Sequence, residues 1–170
     1  RVVVPHVALA VLAGNRAAYS EAHYYAVRKR WNTPGDLAAD AERAAAFIYL
    51  NKTCFNGLYR VNAKGKFNVP MGRYENPCIL DEEKLRRASH ALQGVRLVCQ
   101  DFRETIDAAP EGTLAFCDPP YVPLSPTSSF TSYGPGGFGL DEQQALALCL
   151  RHADRRGVRF VLSNSFTPLV

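Results

Sequence analysis

The 170-residue chain lacks any apolar run near the ~20 residues that a membrane-spanning helix needs. Residues 2–13 are apolar, but the run is too short and Pro5-His6 interrupts it. The five cysteines form no C-x-x-C pair, and neither they nor the four histidines have the spacing of a metal site. We therefore expect a cytoplasmic protein without a bound metal. Three cysteines in apolar runs should be reduced and buried, namely Cys99, Cys117 and Cys149.

Acidic residues are absent from residues 51–74, which we call the basic loop. This stretch carries five cations: Lys52, Arg60, Lys64, Lys66 and Arg73. Across the chain, residues 1–90 hold 14 Lys and Arg against 8 Asp and Glu, whereas residues 91–170 hold 6 against 8. A solvated face would also explain such a run. The uniform sign, with aromatic and Asn residues interleaved, favours a surface that binds a polyanion.

The basic loop has the pattern of a β-hairpin. Segments 55–61 and 66–70 alternate in polarity and flank the Gly-ended turn 62–65. A two-stranded ribbon fits the major groove of DNA, where Arg reads guanine and Asn reads adenine. Lys near the turn is better suited to phosphate, which positions the protein without specifying sequence. The candidate DNA contacts from this pattern are Asn56, Arg60, Lys64, Lys66, Asn68 and Arg73.

The tetrapeptide Asp118-Pro119-Pro120-Tyr121, the DPPY loop, follows the apolar run 113–117, which predicts a buried strand. An acid at the carboxyl end of such a strand lies where α/β sheets bind ligands. The prolines fix φ and supply no N–H, so the carbonyls of Asp118 and Pro119 project from a stiff loop. Carboxylate, carbonyl and aromatic ring together suit an amino group on a planar heterocycle. The alternative is a Pro-rich strand exit with a surface Tyr.

Helix signals dominate the first part of the chain, with Ser20 and Asp81 as predicted N-caps of helices 21–32 and 82–92. A further helix is expected from Pro34 to about Lys52. Strands predicted at 95–99, 113–117 and 158–162 alternate with helices, which implies a parallel sheet. The glycine-rich stretch 134–139 follows no strand, so we interpret it as a loop and not as a phosphate site.

These residues resemble the Dam-type DNA adenine-N6 methyltransferases of bacteria and phages, over about residues 24–167. The DPPY loop carries the resemblance together with segments 47–52, 55–60, 66–74, 130–133 and 162–165. It implies an α/β fold, with a partial Rossmann-like class I methyltransferase sheet in residues 94–170. Residues 1–93 would form a helical target-recognition domain whose β-hairpin spans about 55–74. The implied cofactor is S-adenosyl-L-methionine, and the implied partner is double-stranded DNA.

The resemblance also implies roles for single residues. Asp118 and the carbonyl of Pro119 would hold the N6 amino group of adenine, with Pro120 completing the loop and Tyr121 stacking on the flipped base. The implied cofactor contacts are Asp101, Phe102 and Asp118. The implied DNA contacts, commonly to GATC, are Lys52, Asn56, Arg60, Lys64, Lys66, Asn68, Pro70, Arg73, Phe130 and Tyr133.

The chain departs from the family pattern in one respect. The family places a cofactor segment of the aromatic-Gly-x-Gly type after a first strand, ahead of the recognition domain, and nothing in this chain replaces it. We therefore expect a monomeric central segment of a methyltransferase, inactive alone, whose parent could serve restriction-modification. One alternative is a non-catalytic, sequence-specific DNA-binding module. Another keeps the enzyme but changes the acceptor to cytosine N4, RNA adenine or a protein amide; A-form RNA hides the groove that a ribbon would read.

Overall fold

The computed structural model describes residues 6–37, 39–122 and 137–166. The helices in these ranges are α1 (His6–Ala17), α2 (Glu21–Asn32), α3 (Asp40–Thr53), α4 (Glu82–Ala91), α5 (Phe102–Asp107) and α6 (Leu140–Arg155). The strands are β1 (Leu114–Cys117) and β2 (Arg159–Leu162), and a single 3₁₀ turn lies at Phe55–Gly57. The chain divides into two compact units, with the boundary between Arg96 and Leu97. No helix among the described residues is long and apolar enough to cross a membrane.

Helix boundaries in the first unit follow local capping chemistry. The side chain of Ser20 accepts a hydrogen bond from the His23 amide, and that of Asp81 accepts one from the Lys84 amide, so both predicted N-caps are confirmed. The prediction that α3 begins at Pro34 is wrong, because that helix begins at Asp40. Gly35 has a φ of +86°, a left-handed conformation that a right-handed helix cannot continue through.

The core of the first unit contains the inward face of the basic loop. Phe67 and Val69 are buried with residues from α1, α2 and α3, whereas Lys66, Asn68 and Pro70 are exposed. Alternate residues of an extended segment point to opposite sides, so burying one set turns the other set outwards. The core members are Leu12, Tyr24, Val27, Leu37, Ala45, Ala46, Tyr49, Leu50, Cys54, Phe67, Val69 and Ile79.

The predicted hairpin is present as two antiparallel arms, but its strands are not regular. The arms meet at two isolated bridges, Cys54 with Met71 and Val61 with Phe67. Between these bridges the first arm is longer, because residues 55–60, which include the turn Phe55–Gly57, lie opposite residues 68–70. The extra residues interrupt the ladder of hydrogen bonds, which is why the sequence pattern overstated the regularity of the ribbon.

The second unit is built on the parallel pair β1 and β2, with Leu114 opposite Arg159 and Cys117 opposite Leu162. The predicted parallel pairing of these two strands is confirmed. The prediction that the first of them is buried is wrong, because Leu114 and Phe116 are exposed. Helices α5 and α6 supply most of the buried residues beside them: Ile106, Leu146, Leu150, Ala153 and Val158. The structure is thus a mixed helix and strand chain with a small parallel sheet.

The predicted strand at residues 95–99 is wrong. The sheet of the described residues has only β1 and β2, and residues 95–99 pair with neither. Val95, Leu97 and Val98 are exposed, as is Cys99, so the prediction of a buried thiol there is wrong too. An apolar run of this length becomes a strand only when a neighbour accepts its hydrogen bonds. All five cysteines are free, and Cys78 is exposed as well.

Candidate active site and nucleic-acid interface

The DPPY loop lies where β1 and β2 end side by side. Because the strands are parallel, Asp118 after β1 meets Ser163 after β2 at one edge of the sheet. The Ser163 hydroxyl donates a hydrogen bond to Oδ1 of Asp118 at 2.5 Å. The Tyr121 hydroxyl donates to the same oxygen at 3.1 Å. Two donors from different elements therefore fix the orientation of this carboxylate.

Two other acceptors of the loop receive no hydrogen bond from the described residues. No described residue donates a hydrogen bond to Oδ2 of Asp118 or to the carbonyl oxygen of Pro119. Neither proline has a backbone N–H group that could donate a hydrogen bond to these two oxygens. The Tyr121 side chain is exposed, as is Asp118 itself. The loop therefore presents a carboxylate oxygen, a carbonyl oxygen and an aromatic face.

Two amide side chains hold the backbone at the end of the loop. Gln143 in α6 donates through Nε2 to the Pro120 carbonyl at 2.8 Å, and its Oε1 accepts from Nδ2 of Asn164 at 3.0 Å. Oδ1 of Asn164 accepts from the amides of Val122 at 3.0 Å and Ser165 at 2.8 Å. The peptide groups on both sides of Tyr121 are thus anchored.

A largely apolar cavity of about 650 Å³ adjoins the DPPY loop within the second unit. Its size falls in the range of small-molecule sites, about 300–1,000 Å³. Phe102 and Phe138 contribute rings whose centroids are 5.8 Å apart, and Asp118 and Pro119 lie in the same lining. A polar rim on an apolar cavity with aromatic faces suits a ligand that joins a planar base to a charged group. The described residues contain no cluster of three or more possible metal ligands.

Asp101, the third predicted cofactor contact, does not line this cavity. Its carboxylate accepts from the Arg103 amide at 2.8 Å, which makes it the N-cap of α5. It also pairs with the Arg103 guanidinium at 2.9 Å. The backbone hydrogen bond from Arg103 is the main cause that lowers the pKa of Asp101 below its ordinary value. Its neighbour Phe102 does line the cavity.

The basic loop presents a cationic surface in the first unit. All eight predicted DNA contacts within the described residues are exposed: Lys52, Asn56, Arg60, Lys64, Lys66, Asn68, Pro70 and Arg73. None of the five cations among them forms an ion pair with an acidic side chain of the described residues. Their charge is therefore not neutralised within the part of the chain that the structure describes. The predicted contacts Phe130 and Tyr133 lie outside the described residues.

The loop has a defined shape at both of its bends. Asn56 has a φ of +54° and Gly57 one of +63°, and the Leu58 amide donates to the Phe55 carbonyl. Asn and Gly are the usual residues of such a left-handed turn, so Asn56 has a conformational role whatever else it contacts. At the tip, Oδ1 of Asn62 accepts from the amides of Lys64 and Lys66 at 2.9 and 3.0 Å.

Helix α2 fixes the return arm of the loop. Asn32 donates to the Phe67 carbonyl at 2.9 Å and accepts from the Phe67 amide at 2.8 Å, as a neighbouring strand would. The Val69 carbonyl accepts from Tyr24 Oη at 2.9 Å and from Arg28 at 3.0 Å. Sequence reasoning did not find these anchors or Gln143, and it singled out segment 162–165 without giving Ser163 or Asn164 a role beside the DPPY loop. For Ser163 and Asn164 the available signal was that two polar residues directly follow β2.

Comparison with known proteins assigns the chain to a family. Residues 8–170 match the D12 class N6 adenine-specific DNA methyltransferase family. A type II methyltransferase, M.MjaIII of Methanocaldococcus jannaschii, is 48% identical over 84% of this chain and 50% of its own length. The DNA N-6-adenine-methyltransferase of Escherichia phage P1 is 43% identical over 85% of this chain and 19% of its own. The DNA adenine methylase of Vibrio cholerae is 41% identical over 85% of this chain and 51% of its own.

The chain therefore belongs to the D12 class of N6 adenine-specific DNA methyltransferases. It spans about half the length of the M. jannaschii and V. cholerae relatives. The resemblance inferred from the DPPY loop and the basic loop is confirmed at the level of the family.

Proposed function

We propose that the full-length protein transfers a methyl group from S-adenosyl-L-methionine to N6 of a flipped adenine in double-stranded DNA, at GATC-like sites. Residues 94–170 would carry the catalytic site, and residues 1–93 would form the target-recognition domain. The observation that carries the proposal is the pattern of hydrogen bonds in the DPPY loop. One oxygen of Asp118 is held by Ser163 and Tyr121, while its other oxygen and the Pro119 carbonyl receive no hydrogen bond from any described residue.

The two free acceptors match the two N–H groups of an adenine amino group. The N6 lone pair is delocalised into the ring, so the nitrogen attacks poorly. Hydrogen bonds from both N–H groups to Asp118 and Pro119 draw the nitrogen towards a tetrahedral geometry and stabilise the positive charge that develops on it. The fixed loop also supplies orientation, because a stiff acceptor pair holds the nitrogen in one position.

Tyr121 supplies the face on which the flipped base would stack. Removing a base from the duplex costs a few kcal/mol, which an aromatic contact partly offsets. The ring is half exposed, and its hydroxyl reaches back to Asp118. That hydrogen bond ties the orientation of the ring to that of the carboxylate.

The residues present fit S-adenosyl-L-methionine in the cavity beside the loop. Phe102 and Phe138 could contact an adenine ring, while Asp118 at the edge could face a cationic group. When bound, the cofactor supplies an electrophilic methyl on a sulfonium. The backbone of the DPPY loop would then hold the acceptor nitrogen in line with it. Asp101 would act indirectly, because it caps the helix whose first residue is Phe102.

The basic loop would recognise the target sequence. Four of its cations would contact phosphate, namely Lys52, Lys64, Lys66 and Arg73. Asn56, Arg60 and Asn68 are exposed, as base readers would have to be. Arg60 donates to Oδ1 of Asn68 at 3.3 Å, a contact that would hold both side chains ready on one surface. We also propose that the 170 residues alone do not transfer methyl groups, since they span about half of related enzymes.

The test is base-resolved methylation in cells that express the full-length parent or its Asp118→Ala variant. We expect N6-methyladenine at a short palindrome with the wild type and a loss of at least about a hundredfold with the variant, since removal of a group that stabilises transition-state charge has effects of this size. Asp154→Ala, which changes an exposed acid of α6, is the matched control and should retain methylation. Absence of methylated adenine with the wild type would instead support a DNA-binding module.

A further inference from the structure

We propose that Gln143 and Asn164 are positioning residues, which form an amide relay that orients Tyr121 for the reaction. The inference rests on the proposed function and adds two residues to it. Neither side chain is hydrogen-bonded to the Asp118 carboxylate or to the Pro119 carbonyl. Both act on the backbone, at the peptide groups immediately before and after Tyr121.

The relay has one direction of hydrogen bonding. Oδ1 of Asn164 accepts from two backbone amides, those of Val122 and Ser165, so Nδ2 must be the donor towards Gln143. Oε1 of Gln143 accepts from it, which leaves Nε2 to donate to the Pro120 carbonyl. Reversing either amide would set donor against donor or acceptor against acceptor. The relay therefore has a single arrangement in which all four contacts are made.

The relay restrains backbone dihedral angles that the prolines do not restrain. Proline restricts its own φ, so Pro119 and Pro120 stiffen the first half of the loop. The ring gives no such restraint on ψ of Pro120 or on φ and ψ of Tyr121. Gln143 holds the Pro120 carbonyl, and Asn164 holds the Val122 amide. With both flanking peptide planes held, the direction of the Tyr121 side chain is set by α6 and by the end of β2.

The relay also links the first turn of α6 to the segment that follows β2. Gln143 comes from the first turn of α6, whereas Asn164 follows β2 by two residues. Ser163, adjacent to Asn164, holds the carboxylate of Asp118. One short segment after β2 therefore orients the carboxylate through Ser163 and the aromatic ring through Asn164.

The experiment compares Gln143→Glu with Gln144→Glu in the full-length parent. Both add one carboxylate to α6 at adjacent positions, but Gln144 is exposed and outside the relay. A carboxylate at 143 cannot donate to the Pro120 carbonyl. We expect kcat for adenine methylation to fall roughly tenfold to a hundredfold relative to Gln144→Glu, as for other small misplacements of reacting groups. KM for DNA should stay close to that of the control.

A second readout does not depend on activity. The Val122 amide is hydrogen-bonded to Asn164, so its hydrogen exchange should be faster in Gln143→Glu and in Asn164→Asp than in Gln144→Glu. Asn164→Asp keeps an acceptor for Val122 but loses the donor to Gln143, so its effects should be smaller. A general loss of folding would instead accelerate exchange throughout α6.

Each outcome decides the proposal. Slower methylation together with faster exchange at Val122 supports the relay. Unchanged exchange at Val122 overturns it, and so does faster exchange with an unchanged kcat, because the relay would then be structural only. A wild-type parent that methylates no adenine removes the proposed function, and the role of the relay in orienting Tyr121 for this reaction falls with it. Active wild type with an equally active Gln143→Glu variant refutes the relay alone.

Discussion

At the residue scale, two buried tyrosines in the first unit differ in the hydrogen bonding of their hydroxyl groups. Tyr24 and Tyr49 are both fully buried, and burial raises the pKa of each phenol, that of Tyr49 to about 12. The Tyr24 hydroxyl donates to the Val69 carbonyl, whereas the Tyr49 hydroxyl has no hydrogen-bond partner among the described residues. An unpaired buried hydroxyl opposes folding, while a paired one contributes modestly.

We therefore expect opposite effects from the same substitution at these positions. Tyr49→Phe should leave the free energy of unfolding unchanged or raise it by up to about 1 kcal/mol, because it removes an unsatisfied group. Tyr24→Phe should lower it by about 1 kcal/mol, because it leaves the Val69 carbonyl with one donor fewer. Denaturant unfolding of both variants measures the difference. Equal destabilisation by the two substitutions would contradict this account.

Single residues also show which features of the candidate sites could be predicted from the sequence. Asp118 and Tyr121 were identified from the tetrapeptide, and the structure places their polar atoms 3.1 Å apart. Asn56 was identified as a DNA contact, and the structure adds that its φ is +54°. Sequence reveals residue types that suit a chemistry, but a left-handed conformation at a residue other than glycine becomes apparent only in the folded loop.

At the element scale, α2 determines where the return arm of the basic loop lies. The Asn32 side chain satisfies both backbone groups of Phe67, which a regular partner strand would otherwise do. This explains how an arm with only isolated bridges holds a fixed position. It also connects α2, whose residues Tyr24 and Val27 are buried in the core, to the exposed residues Lys66, Asn68 and Pro70.

Replacing Asn32 should lower the affinity for DNA by more than the accompanying loss of folding stability accounts for. Asn32→Ala removes two hydrogen bonds to the arm, so we expect DNA affinity of the full-length parent to fall about tenfold, equivalent to 1.4 kcal/mol. Asn15→Ala is the matched control, since Asn15 bonds to His23 in the same unit and does not touch the arm. Affinity measured at one salt concentration, with thermal unfolding alongside, separates the effects. Similar affinities for the two variants would refute the role of Asn32.

The sequence predicted some elements correctly and others not. The caps at Ser20 and Asp81 and the pairing of β1 with β2 followed from the sequence. The strand at 95–99 did not form, and α3 began six residues later than predicted. Capping depends on neighbouring atoms, whereas a strand depends on a partner that may lie anywhere in the chain.

At the scale of the whole molecule, the positive charge is concentrated in the first unit. The five cations of the basic loop form no ion pair with an acid of the described residues, whereas two arginines of α4 do. Arg86 pairs with Glu82 at 2.6 Å and Arg87 with Glu83 at 3.8 Å, each one helical turn away. Unpaired cations release counterions from DNA on binding, whereas paired ones contribute little net charge.

This difference predicts which charges set the salt dependence of DNA binding. If the four cations of the basic loop other than Arg60 contact phosphate, log K should fall with log salt at a slope of about −3.6. The Lys64→Ala, Lys66→Ala double variant should make the slope shallower by about 2. Arg86→Ala, Arg87→Ala removes the same charge from α4 and should leave the slope unchanged. A flat salt response of the wild type would rule out DNA binding by the basic loop.

The sequence by itself determined the residue types of both candidate sites and the local signals around them. The DPPY loop, the acid-free basic loop and two helix caps depend on neighbours in the chain, so they are visible in its order of residues. Only the tertiary structure showed that Ser163, Gln143 and Asn164 hold the DPPY loop, and that Asn32 holds the basic loop. These partners lie 21 to 45 residues apart in sequence, and hydrogen bonds over such separations depend on how strands and helices pack.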